Sequence, residues 1–168
     1  MQGYVDGTYQ PTWTVTRDQM AVYTARALAG GDAFFDTYVP PGGPRFSDVS
    51  TSHWAYKYIE YCADPAQGVV TGFEDGTYQP SQAVNRGQMA AFIGRALEGG
   101  DAFFSTYVPP SGPTFPDVPE SFWAYKYVEY IANAGVTQGY PDGNYHPEVN
   151  VTRDQMAVYV SKAFGYLT

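Results

Sequence analysis

The stretch GFEDGTYQPSQAVNRGQM, residues 72–89, contains a turn, a spacer and the opening of a helix, and the chain writes it three times. GYVDGTYQPTWTVTRDQM at 3–20 and GYPDGNYHPEVNVTRDQM at 139–156 repeat the Gly-aromatic-x-Asp-Gly-x-Tyr-x-Pro turn and the Arg-x-Gln-Met that follows it. The motif arginines Arg17, Arg86 and Arg153 recur with a period of roughly 70 residues, which marks stacked units and predicts any ligand site in triplicate.

Helix chemistry surrounds each arginine. Thr16, Asn85 and Thr152 have N-cap side chains, and Gln19, Gln88 and Gln155 stand three residues later, as a capping box requires. Met20, Tyr23, Ala27 and Leu28 then form an apolar stripe, repeated as Met89, Phe92, Ala96, Leu97 and as Met156, Tyr159, Ala163, Phe164. Gly30, Gly99 and Gly165 fit C-terminal stops.

A second helix type precedes the turn in two copies. Trp54, Ala55, Tyr58, Ile59, Cys62 and Trp123, Ala124, Tyr127, Val128, Ile131 have amphipathic spacing, with Ser52 and Ser121 as expected N-caps. Both tryptophans are therefore expected in the core, while Lys57, Glu60, Lys126 and Glu129 fall on the face expected to be solvated. Phe-x-Asp-Val precedes each helix, the Phe plugging a junction and Asp48 or Asp117 bracing a turn. Asp64-Pro65, an insertion of the middle copy, should end that helix early. Val69-Val70 and Val136-Thr137 read as short extended segments leading into hairpin-like Asp-Gly turns.

The connectors at 30–45 and 99–114 differ only at Asp36/Ser105, Gly42/Ser111 and Arg45/Thr114. Their Ala-Phe-Phe-x-Thr-Tyr-Val-Pro-Pro core predicts an ordered loop that packs on a neighbouring unit, on sugar or on another chain, through Phe34, Phe35, Tyr38, Phe103, Phe104 and Tyr107. The whole reads as a mainly α, pseudo-threefold module of tandem repeats with long aromatic-proline connectors. Its order is a second half-unit with connector (1–45), a full unit with connector (46–114) and a full unit (115–168), giving three second halves and two first halves.

A net charge of −8 with 9 Lys and Arg, in no basic run, argues against nucleic acid. No apolar stretch reaches membrane-spanning length, and no signal segment precedes Gly3, so either an export signal was removed or the chain is part of a longer one. Cys62 reads as a small buried hydrophobe. The Asp-Gly turns lack the ligand pattern of a calcium loop, so neither metal nor cofactor is expected. His53 and His146 are not repeated, no nucleophile–base pair or phosphate loop occurs, and Asn150-Val151-Thr152, formally a glycosylation sequon, is better read as containing a helix cap.

Phe-x-Asp-Val, Trp-Ala-Tyr-Lys-Tyr, Gly-Tyr-x-Asp-Gly-x-Tyr-x-Pro and Val-Thr-Arg-x-Gln-Met-Ala, in this order, resemble the S-layer homology domain over nearly all the chain outside the connectors. The resemblance implies a non-catalytic helical module on the bacterial cell surface, extracellular, anchoring a protein to cell-wall polysaccharide, often through a pyruvylated sugar. The family's Thr-Arg-Ala-Glu is replaced here by Thr-Arg-Asp-Gln, Asn-Arg-Gly-Gln and Thr-Arg-Asp-Gln. Asp18 and Asp154 put negative charge beside an expected anion site, which leaves the Arg86 copy the least affected.

Two readings of the arginines stand side by side. In one, Arg17, Arg86 and Arg153 at helix N-termini bind a carboxylate, assisted by backbone N–H groups and the helix dipole, with Tyr9, Tyr78 and Tyr145 as sugar platforms. In the other, each Arg pairs with a turn aspartate, Asp6, Asp75 or Asp142, and the tyrosines clamp turn to helix. The missing first half raises an alternative function, a self-associating subunit of an extracellular array or filament whose head-to-tail contacts supply that half.

Overall fold

Val15, Val84 and Val151, one from each copy of the motif, are tied backbone to backbone in a ring in the computed structural model, which describes residues 3–165. Val15 N donates to Val151 O at 2.9 Å, Val151 N to Val84 O at 2.9 Å and Val84 N to Val15 O at 2.8 Å. All three side chains are fully buried. Isolated bridges Thr14–Thr152, Thr16–Ala83 and Asn85–Asn150 surround the ring, and the described residues contain no longer strand. The ring closes first unit onto last, which gives the pseudo-threefold arrangement its axis.

The described residues form α1 (Arg17–Leu28), α2 (Phe34–Thr37), α3 (Tyr56–Ala63), α4 (Arg86–Glu98), α5 (Asp101–Thr106), α6 (Tyr125–Asn133) and α7 (Arg153–Ala163). The second-half helices α1, α4 and α7 meet one another at the axis, α3 lies on α1, and α6 lies on α4. Capping boxes form at all three inner helices, and Gly30, Gly99 and Gly165 end them with φ of 74°, 69° and 73°. Met20, Met89 and Met156 are fully buried beneath the ring. The mainly α expectation holds.

The first-half helices start later than expected. Their N-caps are Ala55 and Ala124, because residues 50–56 and 119–125 form successive tight turns: His53 N donates to Ser50 O and Tyr56 N to His53 O, with Phe122 N to Pro119 O and Tyr125 N to Phe122 O in the other copy. The buried stripe therefore begins at Ala55 and Ala124, while Trp54 and Trp123 are 58% and 55% exposed rather than in the core. α3 has 8 residues against 9 in α6, its last turn closed by Asp64 before Pro65. Val69, Val70, Val136 and Thr137 are buried but not hairpin strands, since their N–H groups return to Cys62 O and Ile131 O. The Asp-Gly turns themselves are hairpin-like, with Phe73 N donating to Thr77 O and Tyr140 N to Asn144 O, both at 2.8 Å.

Glu60 and Glu129, expected on a solvated face, are buried and hold the connectors. Glu129 accepts from Thr114 N at 2.9 Å and Thr114 Oγ1 at 2.6 Å, and Glu60 accepts from Arg45 N at 2.9 Å and pairs with Arg45 Nε at 3.3 Å. A buried carboxylate is stable only with such partners, so the connectors are part of the packed structure. Lys126 Nζ donates to Phe104 O at 2.9 Å, and Lys57 Nζ to Phe35 O. Phe35 and Phe104 are buried, their rings 4.4 Å from Tyr58 and Tyr127. Cys62 lies fully buried against Ala21 O, and burial pushes its thiol pKa up.

Arg26 grips Asp32 at 2.7 Å, and that hydrogen bond, foremost, holds the carboxyl below its usual 3.8. A depressed carboxylate contributes stability above its unfolded pKa and loses it as pH falls through its folded value. We therefore expect the destabilisation caused by Asp32→Asn, read as a urea midpoint, to be present at pH 7 and to shrink when acid takes the solution below about pH 4.

Candidate functional site

Each motif arginine reaches out of its own unit. Arg17 Nε donates to Tyr78 O at 2.7 Å, Arg86 Nε to Tyr145 O at 2.6 Å and Arg153 Nε to Tyr9 O at 2.9 Å. The tyrosines answer: Tyr78 OH donates to Arg17 O at 2.8 Å, Tyr145 OH to Arg86 O at 3.0 Å and Tyr9 OH to Arg153 O at 3.1 Å. Each guanidinium also lies over that tyrosine ring, at 4.6, 4.3 and 4.7 Å respectively, a cation–π contact sheltered from water. All three arginines are buried, as are Tyr78 and Tyr145, whose rings open no face to solvent. Burial pushes the Tyr78 and Tyr145 hydroxyls up, which keeps them as donors.

The backbone N–H groups invoked for an anion are already used. Arg17 N and Asp18 N donate to Gln82 O and Pro80 O, Arg86 N and Gly87 N to Val149 O and Pro147 O, and Arg153 N and Asp154 N to Trp13 O and Pro11 O. Each helix N-terminus thus receives the carbonyls of the next unit. The turn aspartates bind their own turns, with Thr8 N, Thr77 N and Asn144 N each donating to Oδ1 at 2.9 Å, and among the described residues neither Arg17 nor Arg86 forms an ion pair. Asp48 and Asp117 brace the turns as expected, accepting from Tyr78 N and Gln79 N and from Tyr145 N and His146 N.

The three copies differ at the guanidinium tip. Arg86 Nη1 donates to Tyr159 OH, and Arg153 Nη1 donates to Tyr23 OH at 2.6 Å. In the first copy Phe92 takes that tyrosine's place, 5.7 Å from the guanidinium, so among the described residues Arg17 has no acceptor for either terminal nitrogen. Arg17 instead lines a cavity of about 320 Å³ with Phe73, Gln88, Arg95 and Trp123. Arg86 Nη2 is the opposite case, buried and without an acceptor among the described residues.

Gly87 stands between Asn85 and Gln88, which line this groove, and occupies the position of Asp18 in the first unit. In the first unit the corresponding Asp18 is buried, binds Trp54 Nε1 at 3.0 Å and lies 3.8 Å from His53 Nε2. Glycine makes no such link to Trp123. Arg86 itself turns toward Tyr145, and the arginine that lines the groove is Arg17. Phe73 and Arg95 were not singled out by the motif reading, and Trp123 was expected in the core.

Trp123 also borders a second crevice of about 730 Å³, formed with Tyr107, Val108 and Pro109 of the connector. Tyr38 and Trp54 line a smaller one of about 250 Å³. Phe34 and Phe103 stack on Tyr38 and Tyr107 at 5.4 and 5.3 Å, so most connector aromatics meet one another within the chain. Among the described residues no cluster of three metal-binding side chains occurs, and no helix is long and apolar enough to cross a membrane.

The family model for the S-layer homology domain matches residues 1–21, 45–90 and 114–157. The chain belongs to the S-layer homology domain family. The matched segments of this S-layer homology module hold all three arginines, and most of each connector lies outside them. It is 28% identical over 97% of its length to cell surface glycoprotein 1 of Acetivibrio thermocellus, covering 7% of that protein, and 27% identical over 97% to the cellulosome-anchoring protein of the same organism, covering 35%. It is 30% identical over 76% of its length to S-layer protein EA1 of Bacillus anthracis, and 33% identical over 73% to an endoglucanase of Bacillus sp. strain KSM-635, covering 14% and 12% of them. The S-layer homology module thus spans about a third or less of these curated relatives.

Proposed function

We propose that this module anchors a protein to the bacterial cell wall by binding an acidic sugar of the wall polysaccharide in the groove between Arg17 and Trp123. Family membership places the chain at the cell surface, and the endoglucanase relative, matched over 12% of its length, fits a module carried beside a catalytic domain rather than one that is catalytic. The observation that carries the groove reading is Arg17: it lines the cavity, and its terminal nitrogens have no acceptor among the described residues. A carboxylate, such as the ketal carboxylate of a pyruvylated sugar, matches a guanidinium fork, and a sugar face matches the exposed indole of Trp123. Arg95 at the cavity wall adds positive field, although Asp101 at 2.7 Å offsets part of it. Arg86 and Arg153 serve as clasps between units, so the binding is concentrated at one of three related positions.

Gly87→Asp tests this without touching the clasp. A Cβ at Gly87 meets Phe122 at 3.5 Å, an ordinary contact, and the new carboxylate would reach Trp123 as Asp18 reaches Trp54. Co-sedimentation with purified wall sacculi should weaken about tenfold or more, with an unchanged melting temperature. Unchanged sedimentation would sink the groove.

A further inference from the structure

Trp123 lines two cavities at once, the Arg17 groove and the crevice of about 730 Å³ that it forms with the connector residues Tyr107, Val108 and Pro109. That volume falls within the roughly 300–1,000 Å³ of ordinary ligand pockets. The indole is 55% exposed, and among the described residues its Nε1–H has no acceptor, whereas Trp54 Nε1 in the first unit donates to Asp18. The connector side of the crevice lies outside the segments that match the family model.

Packing does not account for this connector. Residues 30–45 and 99–114 agree at 13 of 16 positions, while the inner-helix segments of the same two copies, 17–29 and 86–98, agree at 7 of 13. Among the connector residues kept are Val39 and Val108, each 81% exposed. The crevice also has polar walls, since Ser111, Glu120 and Ser121 line it and all three are exposed. Its one cation is already engaged: Lys126 Nζ donates to Phe104 O at 2.9 Å. With Glu120 open and Lys126 tied, the crevice disfavours a second acidic group. An aromatic face beside hydroxyl and carboxylate acceptors suits an uncharged sugar ring, which stacks by its C–H face and donates from its hydroxyls.

We infer that the connector crevice is a second carbohydrate subsite, taking an uncharged sugar adjacent in the same polymer to the acidic sugar at Arg17, so that one polysaccharide segment crosses Trp123 from groove to crevice. The inference rests on the Arg17 groove for the identity of the polymer. Once the acidic sugar is held, its neighbour binds intramolecularly, and even a weak subsite then adds affinity. The counterpart in the first unit, lined by Tyr38, Val39, Pro40 and Trp54, has only about 250 Å³ and an indole whose N–H is already spent on Asp18. The subsite is therefore single.

The test titrates two probes into the whole chain, followed by NMR and calorimetry: a pyruvylated hexose, and an oligosaccharide of two repeats released from purified wall polysaccharide. The oligosaccharide should bind at least tenfold more tightly, and it alone should shift the amides of Tyr107, Val108 and Ser111. Ser121→Tyr, uncharged bulk at an exposed position of the crevice, should remove that gain while leaving the hexose affinity and the melting temperature unchanged. Gly87→Asp should weaken both probes. An oligosaccharide that binds no more tightly than the hexose, or a gain that survives Ser121→Tyr, overturns the subsite and leaves the Arg17 groove standing. Oligosaccharide binding that Ser121→Tyr removes and Gly87→Asp leaves intact supports the crevice and overturns the groove instead. Failure of both probes overturns both. A proline-rich peptide that shifts Tyr107 and Ser111 when the oligosaccharide does not would reassign the crevice to peptide and overturn the sugar proposal.

Discussion

Replacing Arg86 by Ala should cost about 3–5 kcal/mol of unfolding free energy, one of the two largest losses expected from a single substitution in this chain. The side chain is almost wholly buried, stacked over Tyr140, Tyr145 and Tyr159 at 4.7, 4.3 and 5.7 Å, and bonded to Tyr145 O and Tyr159 OH. Its removal leaves a cavity between two units, and each polar group stranded without water costs about 1–3 kcal/mol more. Arg86→Met restores most of the volume but no donor, and should fall between wild type and Arg86→Ala in urea unfolding. Arg17→Ala should cost less, since among the described residues its terminal nitrogens have no acceptor to strand. A loss below about 1 kcal/mol at Arg86 would mean that the clasp does not hold the units together.

Gly72→Ala should lose about 2–4 kcal/mol, from two independent causes. Gly72 has φ +69°, where an L-residue is strained, and an added Cβ would stand 2.9 Å from Thr77 O and press into the Phe46 ring. The ring has no room to retreat, because it lies against the buried Tyr78 at the unit junction. Gly76 supplies the control: its φ of +79° carries the same strain, but an added Cβ has nothing within 4 Å. Gly76→Ala should therefore lose only about 1 kcal/mol, the backbone share alone. Equal urea midpoints for the two variants would contradict the role of Phe46 as the junction plug.

Helix grammar was legible because it is local. A capping box spans three residues and a stripe repeats every three or four, so Thr16 with Gln19, the Met20 stripe and the Gly30 stop could be read one copy at a time. The outward tryptophans could not, since the turns at 50–56 and 119–125 displace the helix start by three residues while leaving the apolar spacing intact. Glu60 and Glu129 misled for a related reason: their helix face is the exposed one by periodicity, and only the connector's return covers it. A Lys-x-x-Glu repeated unchanged in both copies was the available hint.

Arginine partners were the hardest to foresee. Arg17 meets Tyr78, and Arg153 meets Tyr9 at the opposite end of the chain, so the relevant distance is set by closure of the ring and by no window of sequence.

The valine ring bears on how the molecule carries load. A linear stack of repeats has terminal members, each held on one side, and tension applied at an end can peel them away in sequence. Here Val15 N holds Val151 O, so the unit nearest the beginning is bonded to the unit nearest the end as well as to the middle one. A pull transmitted through either flank meets a loop in which every inner helix start is gripped from both neighbours. Unravelling must open the loop before any one unit leaves, and that requirement makes rupture a single cooperative event.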